Sequence, residues 1–150
     1  MVAVASQLDT LIDEYLLQLN KMEAEKLSFK NSPVKWSKQE ELGHLVDSAQ
    51  NNIRRFIVAQ YEEIPTIIYN QEKWVVLNNY QQQTPQNIIQ LWFLLNKQVV
   101  SILNNISEEA SQRKSQSQEL HTIEWLGHDY IKHLKHHMHH ILDLEPVPYP

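Results

Sequence analysis

The stretch Thr84-Pro85-Gln-Asn-Ile88-Ile-Gln-Leu-Trp92-Phe-Leu-Leu95-Asn-Lys-Gln-Val99-Val-Ser-Ile102-Leu-Asn-Asn-Ile106 reads as one helix from its first residue. Pro85 falls at the first helical position, where its missing N–H costs nothing. Ile88, Trp92, Leu95, Val99, Ile102 and Ile106 then recur at steps of three and four, the spacing of one helical face. Three more segments repeat that pattern. Leu8, Leu11, Ile12, Tyr15, Leu19 and Met22 predict a helix from about Ser6 to Leu27. Ser37 followed by Glu40 is a capping box that opens another from about Lys38 to Tyr61. Thr122 can cap a last one that continues to about Leu144, ahead of Pro146 and Pro148. No segment alternates convincingly at period two, and the chain has only two glycines, so a sheet with its turns is hard to build. The expected fold is all-α, a four-helix bundle, as a single domain over residues 1–150.

Between the second and third helices lies Glu62 to Gln83, too long for a simple bundle turn and of a length that is usually functional or partly structured. Its Pro65, Tyr69 and Trp74 either line a pocket mouth or pack the loop onto the bundle. The connector from Ser107 to Glu119 is polar.

Composition excludes several functions. With no cysteine, thiolate nucleophiles and Cys-ligated zinc are out, and the absence fits a reducing cytoplasm. A net charge of −5 with 13 Lys plus Arg gives no basic stripe for a phosphate backbone, so nucleic acid is not an expected partner. Asp9, Asp13 and Glu14 interrupt the apolar N-terminus and no basic segment precedes it, so neither a signal peptide nor a membrane span is expected.

Chemistry concentrates in the last helix. Six of the eight histidines lie between His128 and His140, and His133 and His137 are one turn apart. At about 100° per residue, His137 falls inside the apolar arc of Leu126, Tyr130, Leu134, Met138 and Ile141, with His133 at its edge. His128, His136 and His139 fall toward solvent, and His140 near the rim on the His133 side. Two imidazoles so placed can grip a metal ion or can be hydrogen-bonded packing residues. A catalytic ion usually takes three protein ligands. His121 lies too near the helix cap, which leaves His44 as the better third candidate. Yet the aliphatic stripe of Leu42, Leu45, Ala49, Ile53, Phe56 and Ile57 lies almost opposite His44. His44, Asp47, Asn51 and Arg55 form a polar row that either faces water or lines a wet cleft between the second and fourth helices. Gly43 and Gly127 both sit inside predicted helices, where a glycine usually marks close approach of another group. Glu41-Leu-Gly-His44 has the Glu-x-x-His spacing of di-iron bundles but no second copy.

Trp36-Ser-Lys-Gln-Glu-Glu-Leu-Gly-His44-Leu-Val-Asp47-Ser48 resembles the helix-two signature of the DinB/YfiT-like superfamily. Trp125-Leu-Gly-His-Asp129-Tyr-Ile-Lys-His133-Leu-Lys-His-His137-Met-His-His-Ile141 resembles its C-terminal signature, and Glu62-Glu-Ile-Pro65-Thr-Ile is similar to the loop of the YfiT branch. The resemblance implies a four-helix bundle, often a homodimer, with a divalent zinc or nickel ion held by His44, His133 and His137. It implies a metal-dependent hydrolase, or a transferase that joins low-molecular-weight thiols to small-molecule electrophiles. His140 departs from the pattern, standing where many members carry Gln. Asp47 and Asp129 are the expected proton-handling groups. Each also has a plainer role open to it, Asp47 on a polar face and Asp129 paired with Lys132 or Lys135. The alternative function is a non-catalytic metal-binding or dimerisation bundle.

Overall fold

The computed structural model describes residues 1–149. In chain order it contains α1 (Val2–Leu19), α2 (Ala24–Ser28), α3 (Lys38–Val58), α4 (Gln71–Asn78), a 3-10 turn at Tyr80–Gln82, α5 (Pro85–Asn105) and α6 (Glu108–Ser111). The strands β1 (Lys114–Gln116) and β2 (Leu120–Thr122) and the last helix α7 (Ile123–Ile141) follow. The long helices α1, α3, α5 and α7 make the expected four-helix bundle: α3 packs against α5 and α7, and α1 lies mainly on α5. No helix among the described residues is long and apolar enough to cross a membrane.

Local signals set the helix starts. The Ser37 side chain accepts from the Glu40 backbone N–H while the Glu40 carboxylate accepts from that of Ser37, and Thr122 accepts from Trp125 N. Pro85 begins α5 although the Thr84 side chain makes no cap bond. The ends differ from expectation. The first predicted helix is two, because the chain turns at Asn20–Glu23 while Met22 and Leu27 keep the apolar spacing across the break. The second and last helices stop about one turn early, at Val58 and Ile141. The polar connector also holds a small antiparallel hairpin, with Ser115 opposite His121, that sequence periodicity does not reveal.

Trp92, Phe56, Leu8, Ile12, Leu45 and Leu134 are among the largest fully buried side chains, each contributing roughly 1.5–3 kcal/mol by leaving water. Ile57, expected on the buried stripe of α3, is 40% exposed. The reason is that α3 is surrounded: from Gln39 to Ala49 its residues are buried on nearly every side, and Ile57 lies past that sheath.

The segment 62–83 is structured. Ile67 N bonds to Gln116 O and Gln116 N to Pro65 O, which stitches it to β1. Tyr69 and Trp74 pack edge to face, ring centroids 5.4 Å apart. The 3-10 turn docks on the first turns of α3 because Gln39 Nε2 donates to Tyr80 O at 2.6 Å and to Gln83 O at 2.7 Å. A Cβ at Gly43 would stand 2.2 Å from the Tyr80 ring, so only glycine lets that ring lie flat on the helix. At Gly127 the nearest group is the flexible end of Met1, 2.7 Å from such a Cβ. Both glycines are thus sites of close approach, as their mid-helix position predicts.

Candidate metal centre

Helices α3 and α7 run antiparallel, and facing pairs mark their register. Lys38 Nζ donates to Ile141 O, Glu41 meets His137 and His140, and His44 and Ser48 meet His133. The polar row on α3 is therefore covered rather than wet, His44 by α7, Asp47 by Asn78 and Tyr80, and Arg55 by Ile67. His44 is 1% exposed, Asp47 0% and Asn51 1%.

His44, His133 and His137 come together, each offering a ring nitrogen within 4.8 Å of the others. Their ring centroids form a triangle of 5.1, 4.9 and 4.6 Å, all edge to face. His44 Nε2 lies 3.1 Å from His133 Nε2. Two lone pairs that close repel, so either a proton or a cation lies between them. Nitrogens bound 2.0–2.1 Å from a shared tetrahedral ion stand about 3.3 Å apart, close to this spacing.

The outer nitrogens are held from behind. His137 Nδ1 lies 2.8 Å from Glu41 Oε1, and Ser48 Oγ is 3.5 Å from His133 Nδ1, the long end for such a contact. Carboxylate–histidine pairs of the first kind fix ring orientation and leave Nε2 facing inward. His44 Nδ1 is buried without a partner among the described residues. Burial lowers His44 to about 4, aided by the charge of His137, and holds His133 well below its ordinary value. Both rings therefore keep the lone pair that metal binding requires at neutral pH. Three ring nitrogens held in this way fit a borderline divalent ion such as zinc or nickel.

Glu41 is the residue that sequence reasoning missed, having weighed it only as part of a di-iron spacing. It is 7% exposed, and it carries His140 Nδ1 on its second oxygen at 2.5 Å. Burial pushes its carboxyl up, but the hydrogen bonds from His137 and His140 outweigh that and keep it below its ordinary range. Its position one turn before His44, on the face turned to α7, was the available signal. His140 is a rim residue, 72% exposed, that reaches Glu41 rather than the cluster.

The two acidic candidates lie apart from the triangle. Asp47 Oδ1 accepts from Tyr80 Oη at 2.6 Å and from Asn78 Nδ2 at 3.0 Å, and it bonds to none of the three histidines. Burial pushes its carboxyl up to about 6 against those two hydrogen bonds. Asp129 accepts from Tyr149 Oη at 2.9 Å and forms no ion pair with Lys132 or Lys135 among the described residues. His136 and His139, expected toward solvent, are partly covered by the segment after α7, and His121 stacks on Trp125 at 3.5 Å. His128 is exposed, as the wheel places it.

Comparison with known proteins agrees with this architecture. The sequence model of the DinB superfamily matches residues 7–141. YfiT of Bacillus subtilis (strain 168), a candidate metal-dependent hydrolase, is 26% identical over 113 residues, which is 73% of this chain and 64% of that protein, less than two thirds of its length. The solved YfiT structure, described as having an unusual four-helix bundle topology, superposes with a TM-score of 0.79 at 23% identity, covering 93% of this chain and 84% of that one. A mutant of a mycothiol-dependent maleylpyruvate isomerase gives 0.77 at 12% identity, covering 98% and 62%.

Proposed function

This chain belongs to the DinB superfamily, and on that footing we propose that it is a metal-dependent enzyme whose His44, His133 and His137 hold zinc or nickel. The reaction is attack by water or a low-molecular-weight thiol on a small-molecule substrate, as in a hydrolase or a thiol S-transferase. The observation that carries the proposal is the meeting of three ring nitrogens from two helices, with His44 buried and both His44 and His133 held below their ordinary pKa. A bound ion would supply positive charge that lowers the pKa of a water or thiol in its open position.

The chain's own groups divide the remaining work. Glu41 orients His137 and balances charge behind it. Asp129, partly exposed beside Tyr149, is the group proposed to take up or return a proton. Asp47 supports from outside the triangle by seating Tyr80 against Gly43. The name of YfiT favours hydrolysis and those of the isomerases favour a thiol co-substrate, so thiol conjugation and ester or amide hydrolysis are the first assays. A single domain, a homodimer and a cytoplasmic setting belong to the same proposal, and sedimentation of the protein tests the dimer.

Metal analysis of protein purified without a histidine tag tests the site. One equivalent of divalent metal in the wild type and its loss in His133→Ala is the expected result. No stoichiometric metal, or unchanged metal in His133→Ala, would overturn the site. Stoichiometric metal with no turnover of thiols, esters or amides would leave the ion structural.

A further inference from the structure

The two prolines expected to stop α7 do more than end it. Leu144 N bonds to His139 O at 2.8 Å and Asp143 N to His140 O at 3.4 Å, the paired reversed bonds that close a helix C-terminus. Asp143 adopts the left-handed conformation that this closure requires, φ 57°, where glycine is usual. Its carboxylate is held by Lys26 at 2.8 Å and by Lys38. The chain is thereby turned back along α7.

From there residues alternate. Glu145, Val147 and Tyr149 make the contacts to α7, and Pro146 and Pro148 between them have no N–H to satisfy and keep the segment extended. His139 Nδ1 lies 2.6 Å from Glu145 O, and His136 Nδ1 lies 2.7 Å from Val147 O. A carbonyl only accepts, so both imidazoles donate from Nδ1. Tyr149 Oη then donates to Asp129, and its ring stands edge-on to His133 with centroids 5.3 Å apart. Between this strap and the end of α7 is a cavity of about 530 Å³ that reaches Glu41. Trp36 lies tilted against His44, ring centroids 5.2 Å apart.

We infer that Tyr149 is a residue of the three-histidine site, a wall of its entrance, and that His136 and His139 are the anchors that hold it over His133. The strap then governs what reaches that face of the cluster. Its bearing on a bound ion rests on the proposed metal site, whereas its cover of His133 does not.

The test uses the full chain freed of metal, with diethyl pyrocarbonate as the probe and the acylation rate of His133 read by peptide mass spectrometry. Exposed His128 serves as the internal control. Tyr149→Ala, and His136→Ala with His139→Ala together, are expected to raise the His133 rate roughly tenfold, the scale set by losing one or two hydrogen bonds, with His128 unchanged. Tyr149→Phe keeps the ring and is expected to change it at most about threefold. Deletion of residues 145–150 removes no side chain of the bundle core and must reproduce the Tyr149→Ala rate. An unchanged His133 rate in the point variants or in the deletion overturns the inference. In wild type carrying zinc, the same variants are expected to speed metal loss to a chelator by a similar factor. A wild type without metal would sink the metal site and leave the acylation result to decide the strap.

Discussion

Helices α3 and α7 face each other across the same cleft but are built on opposite plans. α3 is buried on almost every side and carries one histidine, whereas α7 keeps a wet face and carries six. On α7, helical phase sorts the residues, because the contrast between apolar and polar faces is written into the sequence. On α3 that contrast fails, since Glu41, His44, Asp47 and Asn51 are as buried as Leu42 and Val46. A helix at the centre of a bundle can bury its polar side only by pairing it, and the partners lie on α7 and in the 71–83 segment.

Substitutions at Glu41, the two glycines, Asp47 and His128 would sharpen or break this contrast. Removing the carboxylate in Glu41→Ala leaves His137 free to rotate and should weaken metal affinity about 10- to 100-fold, measured by competition with a chromophoric chelator. An equal loss in His121→Ala, stacked on Trp125 outside the cluster, would contradict the division of roles. The glycines give the next effect. Gly43→Ala drives a methyl into the Tyr80 ring and should cost about 1–3 kcal/mol in urea unfolding, whereas Gly127→Ala meets only the mobile end of Met1 and should be neutral or stabilising by up to about 1 kcal/mol.

A third effect depends on pH. The Asp47 carboxyl is raised from its ordinary value to about 6, so the folded chain holds that proton more tightly than the unfolded one. Its contribution to stability is full at pH values below the unfolded carboxylate range and is lost as pH rises through about 6. Unfolding midpoints followed from pH 4 to 7 should show that decline in the wild type and a flatter profile in Asp47→Asn. The smallest change belongs to exposed His128→Ala, which should stay within about 0.5 kcal/mol of wild type and keep its metal.

How far the sequence could be read follows the range of the interactions. Ser37 with Glu40, Thr84-Pro85 and Thr122 act within one helical turn, and all three mark helix starts in the structure. The break at Asn20–Glu23 was hidden because apolar spacing continues through it. Strands of three residues are too short to show a period, which concealed the hairpin. At the candidate site, the pairing of His133 with His137 lay within one helix and could be seen in the spacing. The place of His44 could not, since its burial comes from α7, and the resemblance supplied it. Glu41 was missed because the imidazoles it holds are 96 and 99 residues away.

The distance along the chain between His44 and His133, 89 residues, also sets an order of assembly. The pair on α7 is complete as soon as that helix forms, but the third nitrogen arrives only when the last helix docks on a helix formed far earlier. Closing so long a loop is slow compared with forming a helix. If the proposed site binds metal, an ion meeting the nascent chain would find a two-histidine site first, and capture there would draw α7 toward α3 as His44 joins.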